Sequence, residues 1–96
     1  MKVLEPAVVD DALAGGMAWT REGDELVKVH TGHAFADALA YVNAVGALAE
    51  EVNHHPDISI RWNRVTLRLS THDAGGLTEA DLSLARQIDT LSIPPG

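Results

Sequence analysis

Hydrophobic positions along the chain change their spacing from one stretch to the next, and each change marks an element. Residues 7–14 (Ala-Val-Val-Asp-Asp-Ala-Leu-Ala) follow Pro6 and run into Gly15-Gly16, a pattern that predicts a short helix. Two short strands are predicted over 17–21 and 25–30, around a turn at Glu22-Gly23-Asp24. From 34 to 53 the period becomes helical, with Phe35, Leu39, Val42, Val45, Leu48 and Val52 three or four apart as the expected buried stripe. Pro56 forbids continuation and leaves His54 and His55 at or just past the helix C-terminus.

The period then becomes two. Ile58, Ile60 and Trp62 alternate with Ser59 and Arg61, and Val65, Leu67 and Leu69 alternate with Thr66, Arg68 and Ser70. With Asn63-Arg64 as the connection, these segments predict an antiparallel hairpin. After Gly75-Gly76, Thr78 and Asp81 have the spacing of a capping box, and Leu77 and Leu82 that of a hydrophobic staple. Leu84, Ile88 and Leu91 continue a buried stripe, and Pro94-Pro95 ends the structured part. The order α-β-β-α-β-β-α predicts an α+β fold: a four-stranded antiparallel sheet with helices packed on one face. One domain spans 1–96, with 1–4 and 93–96 as loose ends.

Composition narrows the function classes. A chain of 96 residues with 4% aromatics builds its core from Ala, Val, Leu and Ile, and that small core favours burial in a homodimer or homotetramer. The net charge of −7 argues against binding a phosphate backbone, so no nucleic-acid partner is expected. The most apolar stretch, 34–49, is interrupted by Asp37 and Asn43, so no membrane span is expected. The start lacks the pattern of a secretory leader and there is no cysteine, which together fit a cytoplasmic protein.

Three of the five histidines, His54, His55 and His72, fall around a helix end and a strand end, with Glu50 and Asp81 nearby. Imidazole titrates near neutral pH, so such a cluster suits proton transfer. Plainer roles compete. His54-His55 suits a helix C-terminus through the dipole, Asp81 suits a cap, and Trp62 suits a core aromatic on the sheet. A metal site is disfavoured, because adjacent helical residues diverge by about 100° and no His-x-x-x-His pair or cysteine is present. His30 and His33 have no companion carboxylate pattern and read as structural. Strand parity puts His72 on the face opposite Leu67 and Leu69, although that rule lapses where the strand ends.

The spacing Glu50, His54-His55-Pro56, Trp62, His72, Asp81 resembles the signature of pterin-4a-carbinolamine dehydratases. So do the segments Asn53-His54-His55-Pro56, Leu69-Ser70-Thr71-His72 and Gly76-Leu77-Thr78-Glu79-Ala80-Asp81-Leu82. The resemblance covers about residues 5–92. It departs in a short Ala-rich first helix, a clipped turn near Gly23, Trp62 where Tyr is common and Asp73 where Glu is common. It implies a lyase that removes water from a 4a-hydroxytetrahydropterin to give the quinonoid dihydropterin, recycling the pterin of an aromatic amino acid hydroxylase. The pterin is then the substrate, and neither cofactor nor metal is required.

The same resemblance assigns His55 and His72 to proton transfer at the leaving hydroxyl, and His54 to orienting the pterin or assisting at N5. Asn53, Ser70, Thr71 and Asp73 would line the pterin site with the histidines. Asp81 belongs with the catalytic group and Glu50 supports it, each holding an imidazole, and Trp62 is a further supporting residue. Relatives with the same fold serve as a transcriptional coactivator or as rubisco assembly factors, so a non-catalytic binding role is the alternative.

Overall fold

Two β-hairpins pair through their second strands to make the sheet, and the rest of the chain folds over one side of it. The computed structural model describes residues 1–91, so the expectations for Pro94-Pro95 and for 93–96 lie outside the described residues. Strands β1 (Thr20–Glu22) and β2 (Glu25–Thr31) form the first hairpin, and β3 (Asp57–Arg61) and β4 (Arg64–Leu69) the second. Every pairing is antiparallel and the order is β1-β2-β4-β3. Helices α1 (Pro6–Ala14), α2 (Phe35–Val52) and α3 (Glu79–Asp89) complete the α+β fold, with a single 3₁₀ turn at His72–Ala74.

Alternation decides the two faces of the sheet. In register, Leu26 pairs with Leu69, Lys28 with Leu67 and His30 with Val65. Leu26, Val65, Leu67 and Leu69 are fully buried under the helices with Val45, Leu84 and Ile88. Full burial of each such side chain is worth about 1.5–3 kcal/mol, so this small aliphatic set carries most of the driving force. The ends of the layer are tied by polar contacts. Arg21 of β1 grips Asp10 of α1 at 2.8 Å. Asp89, at the end of α3, accepts from Lys28 Nζ at 2.7 Å, Trp19 Nε1 at 2.9 Å and the Ala18 N–H at 2.9 Å.

The structure differs from expectation in three places. The inward side of α2 carries Ala38, Tyr41, Val45 and Ala49, whereas Phe35, Leu39 and Val52 are exposed. Most positions of α2 are apolar or Ala, so hydrophobicity alone does not fix its phase, and Ala38, Val45 and Ala49 face the close-packed side beside Tyr41. Trp62 is not a core aromatic: it is 67% exposed and sits in the β3–β4 turn with φ of 53°. Asn63 fixes that turn one residue earlier than expected, because its carbonyl accepts from the Gly32 N–H and its amide donates to the Gly32 carbonyl, both at 2.8 Å. Leu4, placed by the sequence in a loose end, donates its N–H to the Leu77 carbonyl at 2.7 Å and packs on the core.

His30, read as structural, stacks on Tyr41 with ring centroids 3.8 Å apart. Its Nε2 and the Tyr41 hydroxyl are buried and, among the described residues, have no hydrogen-bond partner. Burial, and secondarily the Lys28 ammonium, push the His30 pKa down, while burial pushes the Tyr41 hydroxyl up.

Candidate active site

The end of α2 is built to present histidines. Asn53 adopts the left-handed conformation (φ 52°, ψ 46°), which an Asn tolerates better than most residues. Its N–H and that of His54 turn back onto the carbonyls of Glu50 and Ala49, closing the helix. Pro56 then starts the extended run into β3. His54 and His55 are thereby held at a rigid corner rather than on a free loop.

A carboxylate orients each of them. His54 Nε2 lies 2.6 Å from Asp81 Oδ1, and His55 Nε2 lies 2.5 Å from Glu50 Oε2. The two pairs differ in setting: Asp81 is wholly buried, whereas Glu50 and His55 are largely exposed. Asp81 Oδ2 also accepts from the Thr78 N–H at 2.9 Å and from Thr71 Oγ1 at 2.8 Å. The Asp81 carboxylate can only accept, so the His54 ring carries a proton on Nε2, an arrangement that in the neutral imidazole leaves Nδ1 as acceptor. The same reasoning assigns Nε2–H to His55.

The second wall comes from the end of β4. Beyond Leu69 the chain passes through Ser70 and Thr71, which bridges to Gly76, and enters the 3₁₀ turn that carries His72 and Asp73. Sequence register joins the two walls: Asp57, just after the His-His-Pro corner, pairs with Arg68, just before this turn. Asn53, His54, His55, Ser70, Thr71, His72 and Asp73 together line one cleft of about 220 Å³.

Of the residues singled out in the sequence, seven line this cleft, while Asp81 and Glu50 stand behind it as partners of His54 and His55. Trp62 is not brought to it. It lies at the far end of the β3–β4 hairpin, five strand residues from the corner, or roughly 17 Å at 3.4 Å per residue. Thr78 does more than the sequence indicated. Its buried hydroxyl caps α3 by accepting from the Ala80 N–H at 3.2 Å and meets the Thr71 hydroxyl at 2.8 Å, so the helix start and the cleft wall share one network. The Thr-x-x-Asp spacing was its signal. Among the described residues, no group of three or more His, Asp or Glu is arranged to hold a metal ion.

A family model described as pterin 4 alpha carbinolamine dehydratase matches residues 2–91. The chain belongs to this family. A relative from Thermomicrobium roseum is 48% identical over 92 residues, covering 96% of this chain and 99% of its own. One from Mycobacteroides abscessus is 50% identical over 90 residues, covering 94% and 96%. Both carry the pterin-4-alpha-carbinolamine dehydratase name, that of a lyase. Among solved structures, a transcriptional coactivator/pterin dehydratase from Brucella melitensis superposes with a TM-score of 0.85 at 26% identity, covering 92% of this chain and 96% of that one. A pterin dehydratase-like RuBisCO assembly factor of the alpha-carboxysome has a TM-score of 0.60 at 26% identity, covering 76% and 84%. Among the described residues, no helix is long and apolar enough to cross a membrane.

Proposed function

We propose that this chain dehydrates a 4a-hydroxytetrahydropterin by histidine general acid–base catalysis. The observation that carries this reading is the convergence of three imidazoles on one cleft, two of them oriented by carboxylates. The C4a–O bond breaks only when the hydroxyl takes up a proton, because hydroxide leaves poorly. The electron pair that closes the new C4a=N5 bond is released when N5 gives up its proton. One protonated and one neutral imidazole satisfy both needs, and the proton count balances with water as the only other product. Positioned groups of this kind contribute about 10²–10⁴-fold.

In this reading His55 and His72 exchange protons with the leaving hydroxyl. His54, held by buried Asp81, orients the ring or takes the N5 proton through Nδ1. Asn53, Ser70, Thr71 and Asp73 supply polar contacts to the heterocycle. The dihydropterin formed is the oxidised product that a reductase returns to an aromatic amino acid hydroxylase. Retention of all three cleft histidines favours catalysis over the assembly role of the RuBisCO factor.

We also infer self-association. Phe35 and Leu39 form an outward apolar strip on α2, and Ile58 lies on the edge strand β3 with Trp62 at its end.

The deciding experiment follows absorbance as the quinonoid product forms from enzymatically generated 4a-hydroxytetrahydropterin. Purified protein should raise the rate above buffer. A rate equal to buffer would overturn the dehydratase reading and promote the assembly role.

A further inference from the structure

His54 and His55 are each oriented by a carboxylate, whereas among the described residues the His72 side chain has no hydrogen-bond partner. Its place in the cleft is therefore set by the backbone of the turn that carries it. That turn is a closed ring. The Thr71 N–H donates to the Gly76 carbonyl at 3.0 Å, and the Thr71 carbonyl accepts from the N–H groups of Ala74 and Gly75, each at 3.0 Å. One support of the ring is α3, through the Thr71 hydroxyl, which meets Thr78 and Asp81.

A second support comes from the segment ahead of α1. The Leu4 N–H donates to the Leu77 carbonyl at 2.7 Å, immediately after the ring. Val3 lies on Gly76 itself: a methyl group at position 76 would stand 3.0 Å from Val3 Cγ1 and 3.6 Å from Cγ2. Carbon atoms in contact prefer about 3.5–4.0 Å, so Val3 and any side chain at 76 compete for one place. Gly76 is buried and lies outside the left-handed backbone region, so glycine is needed there for this close approach and not for its conformation. Met1 shares a hollow with Asp73 and Ala74, so residues 1–4 follow the turn from end to end.

We propose that Val3 and Leu4 are positioning residues for His72: they clamp the Thr71–Gly76 ring and so fix where the imidazole meets the substrate. This rests on the dehydratase reading. Misplacing a reacting group by about 1 Å can cost on the order of 10²-fold in rate, so slack in the ring lowers turnover. The loss falls on kcat more than on KM, because Asn53, His54 and His55 on the facing wall stay in place.

The test exchanges methyl groups across the contact. Gly76→Ala drives a methyl against Val3 and should lower kcat about tenfold while changing KM less than about twofold. Adding Val3→Ala removes both Cγ atoms and leaves Cβ 3.9 Å from the new methyl, an ordinary contact. The double variant should therefore return kcat to within about threefold of wild type. Wild-type kcat in Gly76→Ala, or a double variant no faster than the single one, would overturn the proposal.

Other measurements need no turnover. Wild-type protein should show nuclear Overhauser contacts between the Val3 methyls and the Gly76 α-protons, and their absence would refute the clamp. The His72 ring and the Thr71 and Gly75 amide resonances should move in Gly76→Ala and return in the double variant, and shifts that persist there would also refute it. Should Gly76→Ala not fold, Val3→Ala alone decides, since it should speed amide exchange at Thr71 and Gly75, and unchanged exchange would overturn the proposal. Wild-type rates equal to buffer would sink the dehydratase reading instead, with the resonance and exchange comparisons still deciding the clamp.

Discussion

His54 Nε2 and Asp81 Oδ1, 2.6 Å apart, join the end of α2 to the first turn of α3 across 27 residues of sequence. Asp81 is thus both the cap of a helix and the partner of a cleft histidine. The two roles use different oxygens, Oδ2 for Thr78 and Thr71 and Oδ1 for His54, so one substitution can separate them. Any distortion of the α3 start is transmitted to the imidazole.

Asp81→Ala should therefore cost stability as well as rate. The Thr78 N–H, the Thr71 hydroxyl and the His54 ring would all lose an acceptor in a buried setting, a loss of about 1–3 kcal/mol. Guanidinium unfolding should show this as a lower midpoint with an unchanged slope. Asp81→Asn can still accept at one oxygen for the cap but presents an amide N–H₂ to His54, which reverses the preferred tautomer. It should keep most of the stability and lose about tenfold or more in rate. Equal rates for Asp81→Asn and wild type would remove Asp81 from the mechanism and leave it a cap.

The stacked pair His30–Tyr41 predicts a pH dependence. Burial and Lys28 hold the folded His30 pKa below its ordinary value of 6.5. Below that value the unfolded chain binds a proton that the folded chain does not, so stability rises with pH in this window. The contribution is present above about pH 6.5 and is lost as pH falls through the folded value. Thermal midpoints of wild type should fall between about pH 6.5 and pH 5, and His30→Phe, which keeps a ring on Tyr41, should show a shallower fall. The other titrating groups are common to both proteins, so parallel curves would mean that His30 does not resist protonation in the fold.

The outward strip on α2 gives a prediction about assembly. In an isolated chain, Phe35→Glu with Leu39→Glu touches only exposed positions and should alter stability by no more than about 0.5 kcal/mol per site. Sedimentation should show wild type above the 10.2 kDa of one chain at micromolar concentration, and the double variant closer to it. A wild-type monomer under these conditions would refute self-association.

How much of this was legible in the sequence depended on how strongly each residue is constrained by its neighbours. The period of β4, the Thr78–Asp81 cap and the stop at Pro56 are local rules, and the corresponding elements stand where those rules put them, whereas β1 runs over Thr20–Glu22 rather than the expected 17–21. The phase of α2 was not legible, because Ala at so many positions lets two faces compete and the choice is made by packing against β4 and α3. Trp62 was misplaced for a similar reason. Alternation extends the β3 strand through it, but two hydrogen bonds between Asn63 and Gly32, 31 residues away, fix the turn at Trp62 instead. The cleft histidines could be grouped from their spacing, whereas the apolar residues next to them could not: Val52, Ala74 and Ala80 are ordinary in the sequence, and only the fold brings them beside His54.

The sharpest prediction concerns His55 and His72, which stand on opposite walls of the cleft. If they carry the proton transfers, His55→Ala or His72→Ala should lower the dehydration rate by roughly 10–10³-fold. The loss should be partial, because the reaction proceeds without a catalyst and each imidazole can serve a hydroxyl on one face of the ring. The double variant should lose more than either single one. Both residues are exposed, so unfolding midpoints should move little compared with truncation of buried Leu67, for which about 2–5 kcal/mol is expected. His30 is a poor control, since its ring stacks on Tyr41, but exposed His33 is a suitable one, and His33→Ala should leave rate and stability close to wild type. Full activity in the His55→Ala, His72→Ala double variant would leave the family assignment intact and move the acid and the base to other groups, with His54 the first to examine.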